Sequence, residues 1–342
     1  MRDVVIAGTG RYLPGEPVPN AKLVAELKKL DQTTNEEWII ERTGVSQRYI
    51  AAPGEHTSDM ALEASLDCLR SSGVDDPNEI DLIVVPTVSG DTTFPATANW
   101  LQGKLENDRA WSLDINAGCS GFVYSLAVVT SLIRSGQSNL ALLVGAEKMS
   151  ELYDPTDRTS YPLAGDGAAA VLLWGTKRNA NRGIDRPGIH DFYLQSDGQL
   201  ANLLIRPLGG TSQPLTPENI LDPGRFLQMD GKKVYQHAVR RMSESIVEVL
   251  RKVQVELSAV DWFIGHQANG RILQAVAGKL GIPEAKMYTN ISRYANTTSA
   301  TIPICLDELA KSGQLKPGHK VVLFTFGTGF TWGGCYLVWG MS

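Results

Sequence analysis

Short continuous apolar runs alternate along this chain with longer stretches in which apolar residues return every three or four positions. The runs MRDVVIAG (1–8), DLIVVPT (81–87), WSLDIN (111–116), NLALLVG (139–145), DWFIG (261–265), KMYTNI (286–291), KVVLFTFG (320–327) and CYLVWG (335–340) read as strands. Unbroken apolar runs of this kind predict burial on both faces, as in parallel sheets covered by helices. The periodic stretches ALEASLDCLRSSG (61–73), FVYSLAVVTSLIRSG (122–136), SESIVEVLRKV (243–253) and TIPICLDELAKSG (301–313) read as amphipathic helices.

The series repeats. A helical stretch precedes the run at Asp81, and another precedes the run at Asp261, 180 residues later. WLQGKL (100–105), the strand WSLDIN and Cys119 correspond to ILQAVAGKL (272–280), the strand KMYTNI and Asn296. In both copies a helix and then a buried strand follow, at residues 139 and 320. Two matched series of strands and helices predict a duplicated α/β core, with one half over residues 1–175 and the other over 176–342. The polar, Gly- and Pro-rich stretch 195–225 is expected as a surface excursion.

Composition narrows the function more than the fold. With 342 residues, 43% hydrophobic and 20% charged, the chain has material for a large core. A net charge of −5 offers no general basic field for a nucleic acid. No apolar run approaches the roughly 18–20 residues of a membrane span, and the first residues already read as a strand, so a cytoplasmic location is expected. Cys68, Cys119, Cys305 and Cys335 are scattered without a CxxC pair, which predicts free thiols and neither a zinc site nor a disulfide framework. Asp154, Asp157 and Asp166 lack the spacing of a metal site, and no metal is expected. GTGRYLPG (8–15) looks like a dinucleotide fingerprint only until Leu13 replaces its third glycine and Pro14 blocks the helix.

The chemistry gathers at strand ends. In open α/β sheets the loops after the strands' carboxyl ends form the reactive crevice, and Cys119, His266 and Asn296 each follow a strand. Cys119, in NAGCSGF (116–122), lies between Gly118 and Gly121 where a strand turns into a helix; the helix start is expected to lower its pKa. Cys68, Cys305 and Cys335 sit in apolar periodic segments and read as core. Of the five histidines, His56, His190, His237 and His319 fall in polar loops or on an ordinary helix face, whereas His266 ends an apolar strand. Asn296, in RYANTTSAT, is free for an inward hydrogen bond if Thr297, Thr298 and Ser299 cap the helix that follows. FGTGFTWGG (326–334) is a Gly-rich bend between two strands, a hairpin turn or, beside Cys119, a source of backbone N–H groups for an oxyanion hole.

With these three residues in these settings the chain resembles the β-ketoacyl-acyl carrier protein synthase III family of the thiolase superfamily. The likeness also runs through EEWIIERTGVSQRYIA (36–51), DPTDRTSYPLAGDGAAAVL (154–172), MDGKKVY (229–235), GHQANGRI (265–272), ANTTSA (295–300) and FGTGFTWG (326–333). It implies a homodimer of thiolase-like duplicated five-layer αβαβα subunits. It also implies a decarboxylative condensation of an acyl-coenzyme A (acyl-CoA) primer with malonyl-acyl carrier protein. In that chemistry Cys119 takes the acyl group, and His266 and Asn296 donate hydrogen bonds to the malonyl thioester oxygen. The backbone N–H groups of Cys119 and Thr328 form the oxyanion hole. The family needs no cofactor beyond its coenzyme A thioester substrate.

Carried over residue by residue, Trp38 and Arg158 meet the adenine of coenzyme A, Arg42 lies near its phosphates, and Gly231 and Asn269 line the pantetheine tunnel. Phe94 closes the partner's acyl pocket across the dimer interface, Met229 and Tyr235 are further pocket positions, and Arg271 docks the acidic carrier protein. Two departures stand out: the family's glycine before Asn296 is Ala295, and the middle glycine of its FGGGF is Thr328, strained if the oxyanion hole needs positive φ there. The primer, the extender's carrier and the pathway stay open. Two other readings compete. One is an acyltransferase that passes the acyl group from Cys119 to an alcohol or amine, for which Asn296 has little purpose. The other is a catalytically silent thioester-binding subunit. Related condensing enzymes that need a glutamate base are disfavoured because no glutamate stands at a convincing position.

Overall fold

The structure, a computed structural model, describes residues 2–30, 32–177 and 180–341. The eight apolar runs supply eight of the ten strands of two five-stranded sheets; Asp166–Lys177 and Gly188–Ser196 are not among them. The first contains β1 (Arg2–Tyr12), β2 (Leu82–Pro86), β3 (Trp111–Ile115), β4 (Leu140–Lys148) and β5 (Asp166–Lys177), in the order β1-β5-β4-β2-β3. The second contains β6 (Gly188–Ser196), β7 (Trp262–Gly265), β8 (Met287–Tyr288), β9 (Lys320–Gly327) and β10 (Thr331–Val338), in the order β6-β10-β9-β7-β8. Each sheet thus runs first, fifth, fourth, second, third. The directions agree as well, since β4-β2-β3 and β9-β7-β8 are parallel and the remaining neighbours antiparallel.

The expectation of parallel sheets is therefore corrected to mixed ones. A parallel neighbour requires a crossover, usually a helix. β9 reaches β10 through a hairpin too short for one, and β4 reaches β5 through irregular turns and short 3₁₀ segments.

Helices complete five layers. α1 (Thr57–Ser72) and α2 (Thr97–Lys104) cover the outer face of the first sheet. α3 (Gly121–Ser135) and α6 (Thr301–Lys311) lie between the sheets, and α4 (Gly231–Val253) and α5 (Gly270–Leu280) cover the outer face of the second. The central apolar cluster joins Val84, Leu126 and Leu143 of the first half to Ile264, Leu306 and Leu323 of the second, all fully buried. Among the described residues no helix is long and apolar enough to cross a membrane.

The stretch 195–225 is only partly the surface excursion expected. Its turns lead into the small ribbon Leu204–Ile205 with Gln228–Met229, and Leu204, Leu227 and Met229 face an internal cavity. The polar composition of the segment reflects its outer side, where Leu221 is nevertheless 79% exposed.

Candidate active site

A cavity of about 730 Å³ opens between the halves where the parallel strands end. Cys119, His266 and Asn296 all line it. Cys119 is the middle residue of a 3₁₀ turn, Gly118–Ser120, that leads directly into α3. The turn is pressed against the β9–β10 hairpin. Gly118 has φ +54°, and a Cβ there would stand 2.3 Å from Thr328 Cγ2; a Cβ on Gly327 would stand 2.8 Å from the amide nitrogens of Cys119 and Ser120. No other residue fits either place without displacing backbone. Threonines hold the contact: Thr325 Oγ1 donates to the Cys119 carbonyl and Thr331 Oγ1 to the Ala117 carbonyl, both at 3.0 Å.

The hairpin brings the Thr328 N–H to the Cys119 sulfur, which also meets its own N–H. The strain anticipated at Thr328 does not arise. The positive φ of the turn falls on Gly329, at +130°.

The thiol itself departs from expectation. Burial, reinforced by the Glu147 carboxylate, pushes Cys119 up to about 12. Its own N–H, the Thr298 hydroxyl and the Thr328 N–H oppose this without reversing it. Burial outweighs the helix start, so the thiol is held above its ordinary value and not below it. Thr298, whose buried hydroxyl has no partner of ordinary hydrogen-bond geometry, faces the sulfur with φ +49°, a rare conformation for a β-branched residue.

His266 follows β7 and is buried, its N–H bonded to the Phe324 carbonyl at 2.9 Å. Nδ1 lies 2.8 Å from Thr301 Oγ1, and that hydroxyl donates to the Thr298 carbonyl at 3.0 Å. A hydroxyl has one proton to give, so Nδ1 carries the imidazole hydrogen and Nε2 presents a bare lone pair with no protein partner. Burial pushes the imidazole down to about 3.

A histidine depressed from 6.5 binds no proton in the native state while the unfolded chain takes one. Stability on its account is complete above pH 6.5 and falls as the pH drops towards 3, by roughly 2 kcal/mol at pH 5. A His266→Gln variant is expected to lose less stability than wild type between pH 7 and 5. Urea denaturation at several pH values checks this.

Asn296 is held three ways. Its N–H donates to the Leu163 carbonyl at 2.9 Å, the chain beside it forms a bridge with Ala164, and its Oδ1 accepts the Thr298 N–H at 2.9 Å. The neighbouring hydroxyls thus do not free the side chain from the following turn, as expected; they leave only Nδ2 free.

The glycine missing before Asn296 has a cost. Ala295 adopts φ +56°, ψ −153°, a region essentially reserved for glycine. The strain exceeds the burial lost with one methyl and the added freedom of an unfolded glycine, so Ala295→Gly is expected to raise stability by about 1 kcal/mol. Thermal or urea denaturation reads the change.

The same cavity reaches the surface, where Arg42, Gly231, Lys232 and Arg271 of its lining are exposed. Trp38 lies near its mouth on the helix Glu36–Thr43, which starts where Asn35 Oδ1 accepts the Trp38 N–H at 2.7 Å and stops at Gly44 with φ +79°. The guanidinium of Arg42 lies 5.9 Å from the Trp38 ring centre and that of Arg158 5.2 Å. Arg158 stands outside the cavity wall, whereas Arg42, Gly231 and Arg271 line it, Arg271 with its guanidinium 5.9 Å from the Tyr235 ring. Asn269 lines the cavity too, but its side chain is engaged: Oδ1 caps α5 at the Arg271 N–H, 2.9 Å, and Nδ2 donates to the Arg42 carbonyl at 3.0 Å.

Met229 and Tyr235 line the cavity. Phe94 does not. It is 85% exposed on an outward loop, away from this subunit's own cavity.

Three groups in or behind the chamber wall escaped the sequence, and of these only Tyr153 lines the cavity. Glu147 is the penultimate residue of β4, fully buried, with Oε2 accepting from Ser89 Oγ (2.5 Å), Thr87 Oγ1 (3.1 Å) and the Val88 N–H (3.1 Å), and with Oε1 2.8 Å from Ser299 Oγ. Burial raises it to about 6 despite these donors. The strand-end rule that found Cys119 points to it equally. Thr301 carried no signal beyond its place in a helix, and Tyr153 none beyond standing immediately before DPTDR.

Known proteins resemble this chain over nearly its whole length. The family described as 3-oxoacyl-[acyl-carrier-protein (ACP)] synthase III matches residues 113–198, and the C-terminal description of the same family matches residues 250–339. The β-ketoacyl-[acyl-carrier-protein] synthase III of Ehrlichia ruminantium (strain Gardel) is 43% identical over 335 residues, 98% of this chain and 99% of that protein. The crystal structure of 3-oxoacyl-(acyl carrier protein) synthase III from Pseudomonas aeruginosa PAO1 superposes with a TM-score of 0.88 at 38% identity, covering 99% of both chains. The priming β-ketosynthase of the R1128 polyketide biosynthetic pathway superposes with a TM-score of 0.88 at 30% identity, covering 99% of this chain and 97% of that one.

Proposed function

The chain belongs to the 3-oxoacyl-[acyl-carrier-protein] synthase III family, and from that premise we propose that it joins an acyl-CoA primer to malonyl-acyl carrier protein by decarboxylative condensation. The observation that carries the reading is the meeting of Cys119, His266 and Asn296 in one cavity whose lining reaches exposed Arg42, Gly231, Lys232 and Arg271.

The first half-reaction uses a neutral pair. As Cys119 Sγ attacks the acyl-CoA carbonyl, its proton passes to the bare Nε2 of His266. The N–H groups of Cys119 and Thr328 receive the developing oxyanion. Collapse breaks the bond to the coenzyme A sulfur, which takes the proton back from His266. Acyl-Cys119 and coenzyme A remain.

The second half-reaction needs donors. The malonyl thioester enters with its oxygen towards Asn296 Nδ2 and His266 Nε2. For Nε2 to donate, the Thr301 hydroxyl turns from the Thr298 carbonyl to Nδ1, and the imidazole proton moves to Nε2. Loss of carbon dioxide leaves the electron pair of the broken bond in an enolate under these two donors. Its carbon attacks the acyl-Cys119 carbonyl, and the sulfur leaves as a thiolate that regains one proton from solvent. The product is a 3-oxoacyl thioester.

Several features support the finer points. Arg158 and Arg42 beside Trp38 suit an adenine and its phosphates. Arg271 and Lys232 at the cavity suit an acidic carrier protein over a free extender thioester. The edge strand β3 carries exposed Trp111, and Trp100 and Phe94 are exposed nearby; a second copy covering this edge makes the protein a homodimer and gives Phe94 its place in the partner's pocket. The reaction is cytoplasmic and uses no cofactor besides its thioester substrates.

Intact-mass measurement after incubation with a series of acyl-CoA chain lengths tests the reading. The expected result is a gain of one acyl group on the Cys119 peptide, discharged when malonyl-acyl carrier protein is added. No gain with any chain length, or a label elsewhere, overturns it.

A further inference from the structure

The two half-reactions ask opposite things of His266, a bare Nε2 in the first and an Nε2 hydrogen in the second. Which of these the ring offers is decided at its other nitrogen. Thr301, the first residue of α6, is 2% exposed, and its Oγ1 lies 2.8 Å from His266 Nδ1. Nε2 has no partner in the protein to compete with that contact.

A hydroxyl serves both tautomers from one position, because it accepts from an N–H and donates to a bare nitrogen. A carbonyl or carboxylate in its place would hold the hydrogen on Nδ1, and a backbone N–H would keep it off. Here the hydroxyl donates to the Thr298 carbonyl at 3.0 Å and accepts from Nδ1. Turning it to Nδ1 does not strand that carbonyl, which also accepts the Thr301 N–H. Rotation about one side-chain bond thus separates two arrangements in which the groups behind the ring stay paired. The exchange balances: one proton passes from Nδ1 to solvent and one from solvent to Nε2, and the imidazole stays neutral.

We infer that Thr301 is a positioning residue for both half-reactions, its hydroxyl setting which nitrogen of His266 carries the hydrogen. The inference rests on the function proposed above. Valine keeps the shape of threonine but gives Nδ1 no acceptor. The hydrogen then goes to Nε2, which is spared a buried orphan because His266 opens on the cavity there. The acceptor for the Cys119 proton is lost, while the donor to the enolate remains.

The first test needs no substrate. Nitrogen-15 NMR of histidine-labelled protein, with His266→Gln to identify the signals, is expected to show the hydrogen on Nδ1 in wild type and Thr301→Ser, and on Nε2 in Thr301→Val. The second test separates the half-reactions. In Thr301→Val, Cys119 acylation by acyl-CoA, read by intact mass, is expected to slow about 10–100-fold. Carbon dioxide release from malonyl-acyl carrier protein, by enzyme acylated to completion beforehand, stays within about threefold of wild type, and Thr301→Ser stays within about threefold in both assays. A hydrogen on Nε2 in wild type or on Nδ1 in Thr301→Val overturns the inference. Unchanged acylation, an equal loss in both assays as from damaged packing, or a serine variant as impaired as valine overturns it too. Failure of wild type to acylate with any chain length overturns the condensing-enzyme reading instead, and the ring signals still decide whether Thr301 sets the tautomer.

Discussion

Cys119→Ala takes up no acyl group from acyl-CoA, and its condensation rate falls on the order of 10⁴-fold or more. The sulfur is the only group in the proposed route that forms a covalent bond to the primer, so no residual path is left through the chamber. The fold survives the change. The turn around residue 119 is held by Gly118 at φ +54° and by the threonine hydroxyls on the carbonyls of Ala117 and Cys119, none of which involves Sγ. Removing the thiol leaves His266 and Asn296 intact, so slow release of carbon dioxide from malonyl-acyl carrier protein continues while product formation ceases. Intact mass and radiolabelled carbon dioxide measured on one preparation separate the two losses.

Asn296→Ala produces the opposite split. The acyl-enzyme forms at close to the wild-type rate, and condensation falls by about 10²–10³-fold, the usual effect of deleting one donor to a developing oxyanion. Alanine also orphans the buried Thr298 N–H, which now bonds to Asn296 Oδ1, and that alone costs roughly 1–3 kcal/mol of stability. Asn296→Asp answers this ambiguity, since it keeps the acceptor for Thr298 but replaces the donating nitrogen with an oxygen that repels the enolate. Loss of carbon dioxide release in the aspartate variant, with its folding and acylation preserved, identifies the missing N–H as the cause. An aspartate variant that still condenses well removes Asn296 from the chemistry.

The sequence was legible where covalent order and physical order coincide. Apolar runs marked eight of the ten sheet strands and missed β5 and β6, and the spacing between Asp81 and Asp261 reappears as two sheets with the same strand order. Sheet direction was not legible, because a buried antiparallel strand such as β10 carries the same apolar run as a parallel one. Nor was the state of the thiol. The helix start after Cys119 can be read locally, but the burial and the Glu147 carboxylate that raise it come from distant segments.

The departures from the family pattern also divided on structure. Thr328 is harmless because Gly329 bears the turn, whereas Ala295 takes the strained conformation itself.

The central apolar cluster draws on both halves, and the cavity takes Cys119 from the first half of the chain and His266 and Asn296 from the second. A nascent chain that has left the ribosome only as far as α3 therefore has its cysteine but neither the walls nor the partners to use it. Enzymatic competence appears in one step, late in synthesis, when the second sheet closes over the shared layer.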